Sequence, residues 1–368
     1  MINKMVLANL VQRPMRSLIS ISAVALEVIL ILLIVAFFYG QLNGSKASQL
    51  GVGADVMVQP PGSSNLVGVT GAPMPVKVGD VLRKLPHVAV AAPVIWDLTT
   101  KPALQIIYGI DIGSYNSIPP SFRFLAGGPF VRSYDVIVDD YFAGSKHVVV
   151  GDSTTLLNHT FRICGIVEHG KGAREFIPLA TMQDLIGAPD HASVFYVKAD
   201  DAKNVDAVVA EIKGVPGMEN YSVLSMQEWQ TMMTPESLPG FATAIRIVIA
   251  ISMVIGFLVI FQSMYTAVME RTREIGILKS LGASKVYIVN VILRETALLA
   301  IVGIVVGTVA SFIVRHVVLI ELPTQRLFWS ADWVVRATAI ALTGAVLGAL
   351  YPAYKAAQKD PIDALAYE

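Results

Sequence analysis

The segment Glu270–Ala283 mixes charged and apolar side chains between two apolar runs that are each long enough to cross a membrane. Its charged members are Glu270, Arg271, Arg273, Glu274 and Lys279, and Lys285 follows just behind. A short loop with this basic excess is expected on the cytoplasmic side of a membrane. We therefore expect a partner in the cytoplasm to push on it.

The apolar residues of this segment predict a short amphipathic helix with one face to bury. The residues assigned to that face are Ile275, Ile277, Leu278 and Leu281. The helix includes Gly276, and Gly282 is placed to end it. The apolar face can be buried in the headgroup region of the membrane or in a partner protein, and periodicity does not choose between them. A solvated loop that only joins two spans is the third interpretation.

No set of catalytic or metal-binding residues stands out elsewhere. The six histidines lack the paired spacings of a zinc site, and no Gly-x-x-x-x-Gly-Lys-Ser/Thr phosphate loop is present. We therefore expect no ATP hydrolysis by that route, no cofactor and no metal in this chain. The single cysteine, Cys164, excludes an intramolecular disulfide and suits an oxidising compartment.

Two acidic residues fall within apolar runs and are candidate intramembrane sites, since an ionisable group there is costly. Glu27 lies in the middle of the first run, and a carboxyl that serves only packing is the interpretation we favour for it. Glu295 lies nearly three turns into the third run. For Glu295 we favour an interfacial pair with Arg294 near the cytoplasmic headgroups. Arg246 is expected to extend toward the headgroups without a site role.

Composition points to a membrane protein. Of 368 residues, 54% are hydrophobic and 15% are charged, against about 25% charged in soluble domains. A net charge of zero argues against a nucleic-acid binder. The chain has apolar runs long enough for the ~30 Å hydrocarbon core at 18–39, 241–268, 286–314 and 333–350.

The charges around these runs predict the topology. Residues 1–17 are predicted to be an amphipathic lead-in that Pro14 interrupts. A cleaved signal peptide is the alternative, but the first apolar run is longer than the apolar region of a typical signal peptide. No small-x-small cleavage site follows it. Basic residues before the first run, and Lys355 and Lys359 after the last, place both termini in the cytoplasm. Residues 41–240 then lie outside it.

That outer region alternates short β-rich and helical stretches, which predicts an α+β domain of one or two lobes. Predicted strands are 55–59, 88–95, 105–110, 134–138, 161–168 and 193–198, and predicted helices are 78–85, 177–186 and 202–213. In the spans, two glycine pairs at Gly-x-x-x-Gly spacing allow close helix approach, within one chain or across a dimer. These pairs are Gly303 with Gly307 and Gly344 with Gly348.

The sequence Glu-Arg-Thr-Arg-Glu-Ile-Gly-Ile-Leu-Lys-Ser-Leu-Gly-Ala-Ser, followed by an apolar helix with Glu295, resembles the FtsX-like permease domain of MacB-type ABC transporters. Tyr351-Pro352-Ala353 with the stretch 359–365 resembles the closing motif of that family. The stretches 9–18 and 53–55 resemble its opening. The resemblance is specific over 260–310 and 350–368 and weak across 60–230.

The resemblance implies an α-helical four-span transmembrane domain and an α+β extracytoplasmic domain of the MacB-like periplasmic core type. The expected boundaries are 1–40 for the lead-in and first span, 41–240 for the outer domain, and 241–368 for the permease domain with its cytoplasmic tail. Such permeases sit among the lipids of the bacterial inner membrane and work as dimers with cytoplasmic ABC ATPase subunits, which bind ATP and Mg²⁺. A periplasmic adaptor joins some of them.

In that family the segment 270–283 is the coupling helix on the ATPase, and ATP-driven closure moves the outer domains. Full MacB proteins carry their own ATPase domain ahead of the first span. This sequence begins almost at its first span, so we expect its ATPase to be a separate polypeptide.

The first hypothesis is therefore a permease subunit, not itself an enzyme, that converts ATP hydrolysis into movement of its outer domain for export or extraction of an envelope substrate. The alternative is a membrane-anchored receptor or regulator of an envelope protein without transport. A membrane-bound enzyme comes third.

Overall fold

The computed structural model describes residues 14–63, 73–99, 105–237, 240–321 and 326–359. Residues 1–13 of the predicted lead-in 1–17, and residues 360–365 of the closing stretch 359–365, lie outside these ranges. The helices, in chain order, are α1 Pro14–Gly51, α2 Val78–Leu82, α3 Ile112–Asn116, α4 Asp140–Lys146, α5 Leu179–Ile186, α6 Val205–Lys213, α7 Met226–Met232, α8 Phe241–Glu270, α9 Thr272–Ser280, α10 Lys285–Glu321 and α11 Ala331–Gln358.

The strands are β1 Val56–Gln59, β2 Met74–Pro75, β3 Val88–Thr99, β4 Gln105–Ile110, β5 Phe124–Gly127, β6 Asp135–Asp139, β7 Ser153–Leu156, β8 His159–Val167, β9 Glu175–Pro178, β10 His191–Ala192, β11 Val194–Ala199 and β12 Ser222–Ser225. The chain divides into two compact units. The helical unit holds residues 1–40, 240–321 and 327–368, and the sheet unit holds 41–239 and 322–326.

Four helices of the described chain, α1, α8, α10 and α11, are long and apolar enough to cross a membrane. They contain 38, 30, 37 and 28 residues, whereas about 20 residues are enough for the hydrocarbon core. The prediction of four membrane helices is confirmed. A helical fold is the expected solution here, because a helix satisfies its own backbone hydrogen bonds in lipid.

α1 is longer than the apolar run 18–39 that is predicted to span the membrane. α1 continues twelve residues past Tyr39 to Gly51, because loss of apolar character ends the hydrocarbon contact but does not end a helix. The description of α1 begins at Pro14, so the predicted interruption of the lead-in at this residue stays a prediction.

Small residues bring the long helices together. A Cβ added to Gly303 of α10 would lie 2.7 Å from the Cβ of Val24, and one added to Gly307 would lie 2.6 Å from the carbonyl oxygen of Ala25. α10 therefore packs directly on the backbone of α1. On α11 the buried small residues recur at helical spacing, as Ala337, Ala341, Gly344, Ala345, Gly348, Ala349 and Ala353.

The two predicted glycine pairs therefore serve packing within the chain. The Gly303–Gly307 pair faces α1, and a Cβ at Gly348 would lie 2.8 Å from the carbonyl oxygen of Phe257 in α8. Close backbone approach of this kind is how helices associate where apolar surface alone gives no preference for a partner over lipid.

The sheet unit is one mixed sheet whose ten described strands run in the order β12-β1-β11-β3-β4-β9-β6-β8-β5, with β7 on β8. A separate pair joins β2 to β10. Two hydrophobic cores cover different parts of the large sheet. One gathers around β1, β11 and α6, and the other around β6, β8, α4 and α5. The predicted α+β character of this region is confirmed.

The predicted strand positions agree with the structure to within a few residues, but several elements differ. The predicted helix 177–186 begins only at Leu179, because residues 175–178 form β9 beside β4. The predicted helix 202–213 divides into a 3-10 turn at Ala202–Asn204 and α6. Short elements such as β5, β7, β12 and α7 were not predicted, since four to seven residues give too little periodicity.

A buried carboxyl lies inside the sheet. Glu175 on β9 has no exposed surface, and neither of its carboxylate oxygens has a hydrogen-bond partner among the described residues. Burial raises the pKa of Glu175 to about 8, and the nearby Asp139 carboxylate adds to the effect. Burial also raises the pKa of Asp139 to about 6.

Replacing Gly307 by leucine is expected to lower the Tm of the purified protein, because a side chain there meets the carbonyl of Ala25. Overpacking of this kind costs about 1–3 kcal/mol. Val309→Leu is the control, since Val309 is exposed on the same helix. Equal melting temperatures for the two variants would contradict the packing of α10 on α1.

The stability of the sheet unit should fall as the pH rises from 4.5 to 8. Glu175 binds its proton more tightly when folded, so the folded state loses this advantage as pH rises through about 8. One such group changes the unfolding free energy by at most about 1.4 kcal/mol per pH unit. Glu175→Gln should flatten the profile between about pH 6 and 8, while Asp139 keeps the slope below it.

Thermal melting of the full chain, followed by fluorescence of the buried Trp96 and Trp229, measures this. Glu168→Gln is the control, because its side chain is half exposed on the surface beside Arg123. A profile of Glu175→Gln that parallels the wild type between pH 6 and 8 would show that the buried carboxyl does not titrate there.

Candidate functional site

The segment Glu270–Ala283 folds as α9 with defined ends. Arg271 is the single residue between α8 and α9, and its carbonyl accepts a hydrogen bond from the Ile275 N–H at 3.0 Å. At the other end the Gly282 N–H donates to Lys279 and the Ala283 N–H to the Leu278 carbonyl, both at 3.0 Å. This double closure needs a left-handed residue, and Gly282 supplies it with φ +96°.

The inner face of α9 packs on its own chain. Ile275 is 8% exposed, and Gly276 and Thr272 are also buried. Ile275 and Leu278 belong to a cluster whose other members come from the end of α8, the start of α10 and the end of α11. Ile275 and Leu278, two of the four residues in the predicted apolar face, are therefore packed against three helices of the same unit.

The outer face carries the remaining apolar residues, so the prediction of one face for all four was wrong. Ile277 is 44% exposed and Leu281 is 80% exposed. At about 100° per residue these two lie roughly 200–240° around the helix from Ile275, on the opposite side. Arg273 and Glu274 are exposed as well.

Lys279 holds the C-terminal end of α11 against α9. Its Nζ donates to the carbonyl of Ala357 at 3.0 Å and to the carbonyl of Lys359. These carbonyls lie at the end of α11, where the last C=O groups of a helix lack intrahelical partners and favour a cation. The lysine predicted as a cytoplasmic topology signal is thus a cap of the last helix.

Glu295 is a buried ion-pair centre, and its predicted pairing with Arg294 at the headgroups was wrong. Its Oε1 accepts from Nη2 of Arg16 at 2.8 Å, and its Oε2 accepts from Nη1 of Arg271 at 3.0 Å. The Arg294 side chain is exposed and donates from Nε to Oδ1 of Asn290 at 3.1 Å. Glu295 and Arg294 point to different sides of α10 because neighbouring residues on a helix diverge by about 100°.

Glu27 lies apart from these contacts in α1, packed on glycines. A Cβ at Gly256 of α8 would lie 2.0 Å from its Oε2, so only glycine leaves room for this carboxyl. Gly344 of α11 faces the other oxygen, which has no hydrogen-bond partner among the described residues. The geometry accords with the packing role favoured from sequence.

A second set of contacts, in the sheet unit, surrounds the last turns of α1. The Gln49 side chain donates to the Tyr108 hydroxyl at 2.8 Å and accepts from the Tyr196 hydroxyl at 2.6 Å. The Gly172 N–H donates to the carbonyl of Ser48 at 2.9 Å. We call Gln49, Tyr108, Tyr196 and Lys171 the helix socket.

Lys171, the neighbour of Gly172, is the last member of the helix socket. Its Nζ donates to the carbonyl of Val52 at 3.4 Å and to the carbonyl of Pro120. Burial lowers the pKa of Lys171 to about 8. The Tyr115 hydroxyl donates to the Lys171 carbonyl at 2.7 Å, which fixes the loop in turn. Sequence reasoning missed this site, since one glutamine beyond an apolar run gives no signal.

Within the described ranges no three histidine, cysteine, aspartate or glutamate side chains come together as metal ligands do. Cys164 is buried, and burial raises the pKa of its thiol to about 11.

The sequence matches a MacB-like periplasmic core domain over residues 17–215 and an FtsX-like permease C-terminal domain over residues 246–361. It is 23% identical over 409 aligned positions to the uncharacterized ABC transporter permease YvrN of Bacillus subtilis, covering 98% of each chain. It is 26% identical over 236 positions to the uncharacterized ABC transporter permease MJ1507 of Methanocaldococcus jannaschii, covering 60% of this chain and 58% of that one.

Among solved structures, the periplasmic region of MacB from Actinobacillus actinomycetemcomitans superposes with a TM-score of 0.38 at 14% identity. That alignment covers 50% of this chain and 94% of the other. The chain spans less than two thirds of the length of several curated relatives that it matches.

Replacing Gln49 by leucine is expected to destabilise the sheet unit by about 1–3 kcal/mol, because two buried tyrosine hydroxyls lose their hydrogen bonds to Gln49 and keep only the 3.2 Å contact with each other. Thermal melting followed by tryptophan fluorescence measures the change. Gln227→Leu is the matched control, since Gln227 is exposed on α7. A Gln49→Leu variant as stable as this control would contradict the role of Gln49 in the helix socket.

Proposed function

This chain belongs to the ABC transporter permeases that join a MacB-like periplasmic core domain to an FtsX-like C-terminal domain, and on that premise we propose that an ATPase drives it through α9 to move its outer domain. It is a multi-pass membrane protein with an extracytoplasmic domain. In this proposal both termini and α9 lie in the cytoplasm. ATP and Mg²⁺ bind to the partner subunit, and the permease acts as a homodimer, with or without a periplasmic adaptor.

The two faces of α9 are the observation that carries the proposal. Its inner face is fastened to the helical unit by Ile275, by Lys279 on α11 and by Arg271 on α10. Its outer face presents Ile277 and Leu281 between exposed charges. An apolar pair with a charged rim is the arrangement that protein interfaces use, with the apolar residues central and the charges around them.

A force applied to that outer face would not be absorbed by a loose loop. α9 is held on three helices, so a push on Ile277 and Leu281 moves the ends of α8, α10 and α11 together. Close-packed interiors transmit displacement because they have low compressibility.

α1 is the element that would carry the movement outward. It is one helix of 38 residues, about 57 Å long at 1.5 Å per residue. Near its start Arg16 binds Glu295 of the helical unit, and near its end Gln49 binds the two tyrosines of the helix socket. Both ends of α1 are therefore fastened by side chains, in addition to the continuous backbone.

The proposed docking is tested by replacing Ile277 and Leu281 with aspartate. Co-purification with the ATPase subunit in mild detergent should weaken at least about tenfold, equivalent to 1.4 kcal/mol, because central apolar residues carry most of the binding energy. The Tm of the permease should stay near that of the wild type, since both side chains are exposed.

Two variants serve as controls. Tyr354→Ala removes an exposed aromatic residue of α11 and should leave ATPase binding unchanged. Ile275→Ala empties part of the inner face and should lower the Tm through a loss of about 2–5 kcal/mol. Full ATPase retention by the double aspartate variant would contradict the docking role. A wild-type chain that never retains an ATPase would favour the receptor or regulator alternative.

A further inference from the structure

One buried carboxylate connects three segments that are distant in the sequence. We propose that Glu295 is the positioning residue that makes α9 and α1 move as one body, and this inference rests on the proposed function. Arg16, Arg271 and Glu295 are its members, and we call them the arginine–glutamate latch. The latch would pass a displacement of α9 directly to the first membrane helix.

The geometry of the latch leaves little freedom to any member. Glu295 binds Arg16 through Oε1 at 2.8 Å, and Arg271 through Oε2 at 3.0 Å with a longer contact of 3.5 Å to Oε1. Side-chain exposure is 4% for Glu295, 11% for Arg16 and 12% for Arg271. Water therefore cannot replace a lost partner at low cost, and separating the charges is strongly disfavoured.

The two arginines of the latch come from different segments, so the latch connects α1 to the junction of α8 and α9. Arg16 lies in the first turn of α1. Arg271 is the single residue between α8 and α9, with a backbone N–H bonded to Val268 and a carbonyl bonded to Ile275. The position of the Arg271 side chain therefore depends on the angle between α8 and α9. Binding both arginines to one carboxylate ties that angle to the start of α1.

The latch lies beside a pocket between α9, α8 and α10, where its ion pairs add to the apolar contacts of Ile275 in holding α9. This pocket has a volume of about 60 Å³. Arg271, Glu274 and Glu295 lie on its wall together with apolar residues of the three helices.

Spin labels on α1 and α9 test whether the two move together. The full chain is purified with its ATPase and labelled at Ile19→Cys and Ser280→Cys, two exposed positions. The native Cys164 is buried, with a thiol pKa raised by burial to about 11, so it resists labelling. The distance between labels is compared in the nucleotide-free and vanadate-trapped states of the complex.

In the wild type the distance distribution should be the same in both states. In Glu295→Gln, which keeps the shape and removes the charge, the peak should shift between states by more than the wild-type width. Glu295→Asp keeps the charge and should restore most of the constancy. Arg294→Gln is the matched control, since its side chain is exposed on the same helix, and it should behave as wild type.

The outcomes separate the two proposals. A wild-type chain that retains no ATPase fails the proposed function. Retained ATPase with a constant distance in Glu295→Gln overturns the latch and leaves the docking role intact, and so does a wild-type distance that shifts as much as the variant's. Arg16→Gln keeps the Arg271 pair and should show the same loss of constancy, which provides the measurement if Glu295→Gln does not fold.

Discussion

A charge that is buried among apolar helices is costly unless a neighbour neutralises it, and the helical unit meets this condition at Glu295. Glu295 receives two guanidinium groups, one from the start of α1 and one from the junction of α8 and α9. Because α1 packs on the glycines of α10, Arg16 is brought within reach of the carboxylate. The close approach of α1 and α10 and the charge pairing thus support each other.

The sheet unit meets the corresponding condition with neutral groups. Gln49 enters a site lined by Tyr108 and Tyr196, and each of its polar ends finds a hydroxyl partner. A buried hydrogen-bond network favours one arrangement, because a shift of the helix breaks its hydrogen bonds. These contacts therefore fix the rotation of the last turns of α1 about the helix axis and their position along that axis. A purely apolar contact would define neither as closely.

Hydropathy identified the four membrane helices, since a bilayer leaves few ways to satisfy the backbone, and alternation of short runs indicated a mixed sheet. The helix ends were less predictable, because α1 passes from apolar to polar residues without any change of backbone conformation. The prediction of a single apolar face on α9 was wrong for a geometric reason. Ile275 and Ile277 are two residues apart, so they point to opposite sides of the helix. The partners of Glu295 were beyond prediction, since Arg16 is 279 residues away in sequence.

The junction between α1 and β1 bears on how the outer domain would resist a pull. Only four residues separate Gly51 from Val56, and β1 lies between β11 and β12, antiparallel to both. The ladder hydrogen bonds run across the strand direction. Tension along β1 therefore loads both ladders in shear, so that their bonds share it and must fail together. A strand at the edge of a sheet that is pulled away sideways would instead lose its ladder hydrogen bonds one after another.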